Sequence, residues 1–295
     1  MANSITVEHI ARGSEPFAWV AHDGTPFPGL VWSNGNTSTA RHIICIHGLS
    51  GSAADFGPLA RRLCEEGCTV WALNLRGQGH DPDHLRRGHF LDPHEWRADL
   101  TAFVETHLPH ATYDLIGESM GSLVALDAVA HGALRPRRLV LSVPVTETRA
   151  PVPGWTVALL RQASMWAPRF KFSPMRFVHG KTSIPRLTAD DAYMAYLDNI
   201  PHRVRGFTIS FLARFHDLMQ AAQQCATRID VPTLMLAAGR DVFIRPEQSR
   251  AFFDRLAARE KEYAFYPDSH HLLWHDVDTA EVLERISHWL KEARA

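Results

Sequence analysis

The sequence predicts an α/β fold, a mostly parallel sheet with helices on both faces and an inserted, mainly helical cap. Three observations predict it. Short apolar runs at residues 41–46, 69–75, 112–116, 139–143 and 231–238 alternate with stretches of helical spacing, the pattern of a sheet covered on both sides. Within that alternation, Leu115 to Ser122 reads as the end of a buried strand, a turn too tight for ordinary residues and a helix start. Between Val143 and Val231 the alternation stops for longer than a crossover needs.

Taken in order, residues 5–10 and 17–32 predict antiparallel strands at one sheet edge, with His22-Asp23-Gly24-Thr25 as the hairpin turn. The run 41–46 enters the loop His47-Gly48-Leu49-Ser50-Gly51, followed by a helix over 55–66. The strand over 69–75 ends at Arg76-Gly77-Gln78-Gly79-His80, and residues 92–107 predict a helix because Trp96, Leu100, Phe103 and Val104 share one face. Strand 112–116 leads into a helix over 120–131, and strand 139–143 into the long interval. That interval is rich in proline and large apolar residues, among them Trp155, Leu159, Met165, Trp166, Phe170, Met175 and Phe177, with helical stretches over 189–198 and 204–224. Strand 231–238, a helix over 246–259 with Pro246 in its first turn, strand 262–266 and helix 279–293 complete the alternation. The expected organisation is a core of residues 1–143 and 231–295, interrupted by a cap of residues 144–230.

A chain of 295 residues with 45% apolar content can bury the core of one large domain. The 31 basic and 32 acidic residues nearly cancel, so no global basic field points to nucleic acid. Residues 1–13 hold no long apolar run and carry Glu8, His9 and Arg12, which argues against a secretory signal, and no later stretch suits a bilayer span. Cys45, Cys64, Cys68 and Cys225 show no disulfide framework, which suits a reduced, cytoplasmic protein. The cap carries 11 Arg and Lys against 6 Asp and Glu between Val145 and Asp230. That bias suits an anionic substrate or transient contact with a membrane or lipid surface, and equally a mildly basic solvated face.

Gly117 and Gly121 flank Ser119 in a G-x-S-x-G pattern whose missing Cβ atoms let strand and helix close on each other and lift the serine hydroxyl out of the turn. A serine hydroxyl is a poor nucleophile at neutral pH, so it needs a base within hydrogen-bonding reach and a third group to orient that base. These partners are expected in chain order Ser, Asp or Glu, His, at the C-terminal ends of strands. Asp241 follows the apolar run 234–238 and is the candidate acid, with Glu147 in reserve; its plainer role would be to cap the helix near Pro246. The base falls within Asp268-Ser269-His270-His271-Leu272-Leu273, where spacing alone does not choose between His270 and His271. His275 and His288 lie in or near the final helix and fit less well. Two backbone N–H groups, of Met120 after the serine and of Leu49 in the earlier loop, are the candidate oxyanion donors, with His47 holding that loop. Cys64 and Cys68 lack a second ligand pair, and His80, His84, His89 and His94 are irregularly spaced, so packing and a solvated loop explain them better than a metal. The chemistry needs neither metal nor cofactor.

Together His47-Gly48, the Gly117-Glu118-Ser119-Met120-Gly121 elbow, Gly239-Arg240-Asp241 and Ser269-His270-His271 resemble the α/β-hydrolase superfamily across nearly the whole chain. Asn74-Leu75-Arg76-Gly77-Gln78-Gly79, Arg87-Gly88 and the helix around Trp96 look most like its monoacylglycerol lipase/lysophospholipase-like serine hydrolases. In that group the catalytic histidine follows a small residue and one variable position, which fits His271 with Asp276 downstream. The group often has Asp where Asn74 stands and His where Glu118 stands.

The resemblance implies a serine esterase in which Ser119 attacks, His271 is the base, Asp241 orients it and the Leu49 and Met120 N–H groups hold the oxyanion. The expected substrate is a small carboxylic ester with an apolar acyl part, such as a monoacylglycerol or lysophospholipid. The same triad would serve a thioesterase, a carbon–carbon bond hydrolase or a proline iminopeptidase. A ligand receptor on this scaffold could dispense with the triad, whereas here all three positions are filled.

Overall fold

The computed structural model describes residues 5–35, 41–89, 92–172 and 184–291. A short helix, α1 (Val7–Ile10), stands where residues 5–10 predict a strand. Thr6 accounts for the difference: its hydroxyl accepts the His9 N–H at 3.2 Å, a cap that starts a helix locally. The strands β1 (Glu15–Val20) and β2 (Pro26–Trp32) form the expected antiparallel hairpin, with Gly24 at φ +83° in its turn. After β3 (Arg41–Ile46) come a 3₁₀ turn (Ala53–Phe56), α2 (Gly57–Glu65) and β4 (Cys68–Leu73). The middle of the chain supplies α3 (His94–His107), β5 (Tyr113–Glu118), α4 (Met120–Ala130) and β6 (Leu139–Ser142).

The long interval is mainly helical, with α5 (Gly154–Trp166), α6 (Asp191–Asn199) and α7 (Ile209–Cys225). A small antiparallel pair, β7 (Lys171–Phe172) and β8 (Phe207–Thr208), ties it together. Helix α7 begins later than its periodicity predicts because Thr208 caps it, accepting the Phe211 N–H at 3.1 Å. The chain then returns through β9 (Thr233–Ala238), α8 (Pro246–Asp254), β10 (Lys261–Tyr266) and α9 (Thr279–Lys291). Helix α8 is shorter than predicted. Lys261 ends it by donating to the Phe253, Asp254 and Leu256 carbonyls. The expected end of α9 at Ala293, and the cap residues Met175 and Phe177, lie outside the described residues.

Strand order in the sheet is β1-β2-β4-β3-β5-β6-β9-β10, antiparallel at the β1–β2–β4 edge and parallel from β4 onward. Every residue of β5 and β9 is buried, so these strands need cover on both faces, and the helices provide it. One face packs Trp96, Phe103, Leu123 and Phe211, and the other Phe56, Leu63, Trp274 and Trp289. Each such side chain contributes about 1.5–3 kcal/mol on burial. From β3 the chain crosses to β4 on one side, and from β5 to β6 on the other, so strand order reverses between β3 and β5. Their C-terminal ends therefore open a crevice, where ligands of such sheets bind.

The loop after β4 is fixed by a buried guanidinium. Arg76 donates from Nε to Asp99 Oδ2 at 2.8 Å, from Nη2 to Asp99 Oδ1 at 2.9 Å and from Nη1 to Asp23 at 2.7 Å. The hydrogen bond from Arg76, with its charge, holds the Asp23 carboxyl well below the usual carboxylate range. Trp96 closes the unit by donating its indole N–H to the Arg76 carbonyl at 3.0 Å.

Candidate active site

Ser119 sits alone between the last residue of β5 and the first of α4, with φ 52° and ψ −115°. A non-glycine residue holds such a conformation only where its surroundings impose it. They do. A Cβ on Gly117 would lie 2.6 Å from the Gly121 carbonyl oxygen, and one on Gly121 only 2.0 Å from that of Ile46. The Ser122 hydroxyl donates to the Gly117 carbonyl at 2.7 Å, and the Ser119 N–H to that of Ser142 at 2.9 Å. Ser119 is thereby presented at the N-terminus of α4, where the Met120 N–H has no partner within the helix.

Asp241 lies three residues past the end of β9 and stays close to the loop after β10, because Gly239 would place a Cβ 2.3 Å from the Pro267 carbonyl oxygen. One Asp241 carboxylate oxygen accepts the Phe243 N–H at 2.7 Å; the other meets His271 Nδ1 at 2.7 Å. Both side chains are buried. An ionised carboxylate only accepts, so Nδ1 carries the proton and Nε2 keeps its lone pair. The Phe243 ring meets His271 edge-on at 4.7 Å and walls that side. His270 turns elsewhere, with Nδ1 3.0 Å from Asp276 and its N–H donated to the same carboxylate. Asp241, rather than Glu147, is the carboxylate on the His271 ring. His275 points away from it and donates to the Asp55 carbonyl at 2.7 Å.

The loop after β3 presses on the serine: a Cβ on Gly48 would sit 3.2 Å from Ser119 Cβ. His47 pins that loop, as expected. Its Nε2 accepts the Leu75 N–H at 3.1 Å, so Nδ1 donates to the Gly48 carbonyl at 2.8 Å. Burial holds this imidazole neutral, with its pKa lowered to about 4. Gln78 accepts the Ser50 N–H at 2.9 Å, and Asn74 the Ala53 N–H at 2.9 Å. Asn74, where the resembling group often carries Asp, serves here as a backbone acceptor that also donates to the Pro28 carbonyl at 3.1 Å.

Ser119, His271 and Leu49 line one cavity of about 500 Å³. A base with a bare Nε2, a serine forced out of its turn and N–H groups on a rigid loop and a helix end are the parts acyl transfer needs. The cavity also contains residues that sequence reasoning did not place there. Asp55 was readable only as a helix start, though Ser52 and Asp55 form a capping box. Glu118 stood out only as a departure within the elbow, and Tyr193 and the run Ile200–Phe207 carried no signal. The cap residues that look most like pocket lining in the sequence face solvent: Trp155, Leu159, Met165, Trp166 and Phe170 are exposed. Helix α5 packs on α7, and of its own residues only Val157 is buried. Cys64 and Cys68 lie at the end of α2 and the start of β4, and among the described residues no group of His, Cys, Asp and Glu is placed to hold a metal ion.

Residues 37–278 match the family described as serine aminopeptidase, S33. The monoacylglycerol lipase of Mycolicibacterium smegmatis is 26% identical over 267 residues, covering 88% of this chain and 91% of that protein. The N-formylmaleamate deformylase of Pseudomonas putida is 28% identical over 244 residues, covering 80% and 84%. A soluble variant of the monoglyceride lipase of Saccharomyces cerevisiae, solved with a substrate analogue, superposes with TM-score 0.78 at 20% identity, covering 96% of this chain and 95% of that one.

Proposed function

Because this chain belongs to the α/β-hydrolase family described as serine aminopeptidase, S33, we propose that it is a serine hydrolase cleaving carboxylic esters with an apolar acyl part. Ser119 Oγ attacks the acyl carbonyl while His271 Nε2 takes its proton, and the Leu49 and Met120 N–H groups stabilise the oxyanion. The tetrahedral intermediate collapses to an acyl-enzyme as His271 returns the proton to the departing alcohol. Water, deprotonated by the same nitrogen, then releases the acid and regenerates Ser119. Asp241 holds the imidazole in the tautomer this requires. The observation that carries this reading is the buried His271–Asp241 pair at 2.7 Å, whose histidine lines the same cavity as Ser119.

An acyl part that is apolar suits the lining by Val145, Phe207, Phe215, Met219 and Phe243. A monoacylglycerol or lysophospholipid is the favoured substrate, supported by the lipase from M. smegmatis. Within the interval 144–230, the described residues 144–172 and 184–230 act as a cap over Ser119. Trp155, Leu159 and Trp166 fall on one exposed stripe of α5, near Arg169 and Lys171, and support transient contact with a lipid surface. Sedimentation with anionic vesicles tests that contact; binding unchanged by replacing Trp155 and Trp166 with Ser removes it. Among the described residues no helix is long and apolar enough to cross a membrane. The four cysteines are free, which supports a reduced, cytoplasmic setting.

A fluorophosphonate probe tests the mechanism. The protein labels at Ser119 and releases p-nitrophenol from short and medium acyl esters; labelling that persists in Ser119→Ala overturns it. Since the P. putida relative is a deformylase, the same panel includes amides and prolyl amides besides esters and thioesters. Amides outrunning every ester would transfer the reading to an amidohydrolase on the same residues.

A further inference from the structure

Two buried carboxyls lie in the cavity without a role in that mechanism. Glu118 is 2% exposed and Asp55 5%, and both line the cavity. Asp55 accepts the Ser52 N–H at 2.7 Å and the Tyr193 hydroxyl at 3.2 Å. Glu118 accepts the Gly48 N–H, while its Oε1 is buried with no hydrogen-bond partner among the described residues. Among the described residues no cation acts on the pair. His275 stacks on Tyr193 at 3.8 Å, but burial lowers its pKa to about 4, so it is neutral. The two basic groups of the lining, Arg203 and Arg205, donate instead to Leu197 and Asp198 of the cap. Burial raises the Asp55 carboxyl to about 6 and Glu118 well above its ordinary value, and for Glu118 the Asp55 charge adds to the effect.

The acids occupy a particular end. Val145, Phe207, Phe215, Met219 and Phe243 pack with the core on one side of the cavity. Tyr193, Leu197, Ile200 and Leu187 form a separate cluster on the other, over Asp55. Ser119 adjoins the acidic end, since a Cβ on Gly48 would lie 3.2 Å from Ser119 Cβ and 3.8 Å from Glu118 Oε2, and His271 meets the apolar end through the Phe243 ring. With the acyl chain in the apolar end, the acids face the alcohol part. Buried carboxyls are normally paired with a cation or fully hydrogen-bonded, and a bound ligand can complete both.

We propose that Glu118 and Asp55 form an acidic subsite for a protonated amine on the alcohol part of the ester, an assignment that rests on the ester-hydrolase reading above. The ammonium N–H donates to Glu118 Oε1, and its charge balances the buried pair. A neutral polyol would supply the hydrogen bond but leave the charge unbalanced.

The test compares 2-(dimethylamino)ethyl butyrate with 3-methylbutyl butyrate, two esters of one shape that differ by a charged N–H, followed by acid release at neutral pH. The amino ester is expected to be preferred roughly ten-fold or more in kcat/KM. Glu118→Gln and Asp55→Asn should each bring that ratio toward one. If either variant fails to fold, the wild type still decides: free 2-(dimethylamino)ethanol should inhibit p-nitrophenyl butyrate hydrolysis competitively, and more strongly than 3-methylbutanol. A wild-type ratio near one, a ratio that survives both substitutions, or glyceryl butyrate outrunning the amino ester overturns the subsite. A ratio near one in protein that labels at Ser119 removes the subsite alone, whereas absence of labelling and of all ester turnover removes the hydrolase reading with it.

Discussion

His271 and Asp241 stand thirty residues apart in the chain and meet Nδ1 to Oδ2 at 2.7 Å, on a carboxylate whose other oxygen is already held by the Phe243 N–H. The carboxylate cannot rotate without losing that bond, so the imidazole is fixed with Nε2 bare. In Asp241→Asn the amide can turn its NH₂ toward Nδ1, which reverses the tautomer and protonates Nε2. Turnover of p-nitrophenyl butyrate should fall by about 10⁴ in kcat while the fold, followed by circular dichroism, stays intact. A loss smaller than about ten-fold would mean that Asp241 does not orient the base.

The adjacent histidines should behave oppositely. His270 is held by Asp276, which also accepts the Ala189 N–H at 2.8 Å, so His270 ties the loop after β10 to the segment before α6. His271→Ala should lose about 10⁴ or more in kcat. His270→Ala should keep turnover within roughly ten-fold and instead lower the unfolding midpoint, since a part-buried hydrogen bond contributes about 1 kcal/mol. Near-normal turnover in His271→Ala would reassign the base.

What was legible in the sequence follows from what each signal depends on. The strands β3 and β9 were legible because both-face burial writes apolar runs such as Ile43–Ile46 and Leu234–Ala238, and Ser119 because its corner demands glycine at 117 and 121. Residues 5–10 alternate like a strand, but one Thr6 hydroxyl starts a helix, a local contact that periodicity does not register. Spacing alone does not choose between His270 and His271, because what tells them apart is a contact across thirty residues. Asp55 and Glu118 were illegible for a similar reason: only the closure of α6 and its Tyr193 over the 3₁₀ turn makes them a buried pair. The aromatic residues of α5 look like core by composition, yet the helix shows that stripe to solvent.

Stability should decline on mild acidification. His47, His202 and His275 each have a folded pKa of about 4, lowered first by burial, against an ordinary value of 6.5. Between those values the unfolded chain binds more protons than the folded one, so stability is retained above about pH 6.5 and is lost as pH falls toward 4. Asp55, raised to about 6 by burial, and Glu118, raised well above its ordinary value by burial, have the opposite sign and gain stability as pH falls, but burial also lowers His42, His80, His89 and His107, so the histidines outnumber the acids. Each histidine costs about 2 kcal/mol by about pH 5, so urea midpoints should drop between about pH 7 and pH 5. His202→Phe should flatten the profile by one group's share; a wild-type midpoint that does not move with pH contradicts the buried neutral histidines.

Two glycine substitutions separate the packing of the Ser119 corner from general helix propensity. Gly121 and Gly154 each stand near the start of a helix, α4 and α5. A Cβ on Gly121 would lie 2.0 Å from the Ile46 carbonyl oxygen and 2.7 Å from that of His47, both backbone atoms at the end of β3. Neither can move without shifting the loop that presses on Ser119. Around Gly154 a Cβ meets nothing within 4 Å. Gly121→Ala should therefore cost about 3 kcal/mol or more and abolish fluorophosphonate labelling. Gly154→Ala should leave labelling intact and stabilise by about 0.4–1 kcal/mol, by restricting the unfolded chain. Both are read from the same urea titration with a labelling endpoint. Equal midpoints for the two variants would show that α4 does not approach β3 as closely as the Ser119 corner requires.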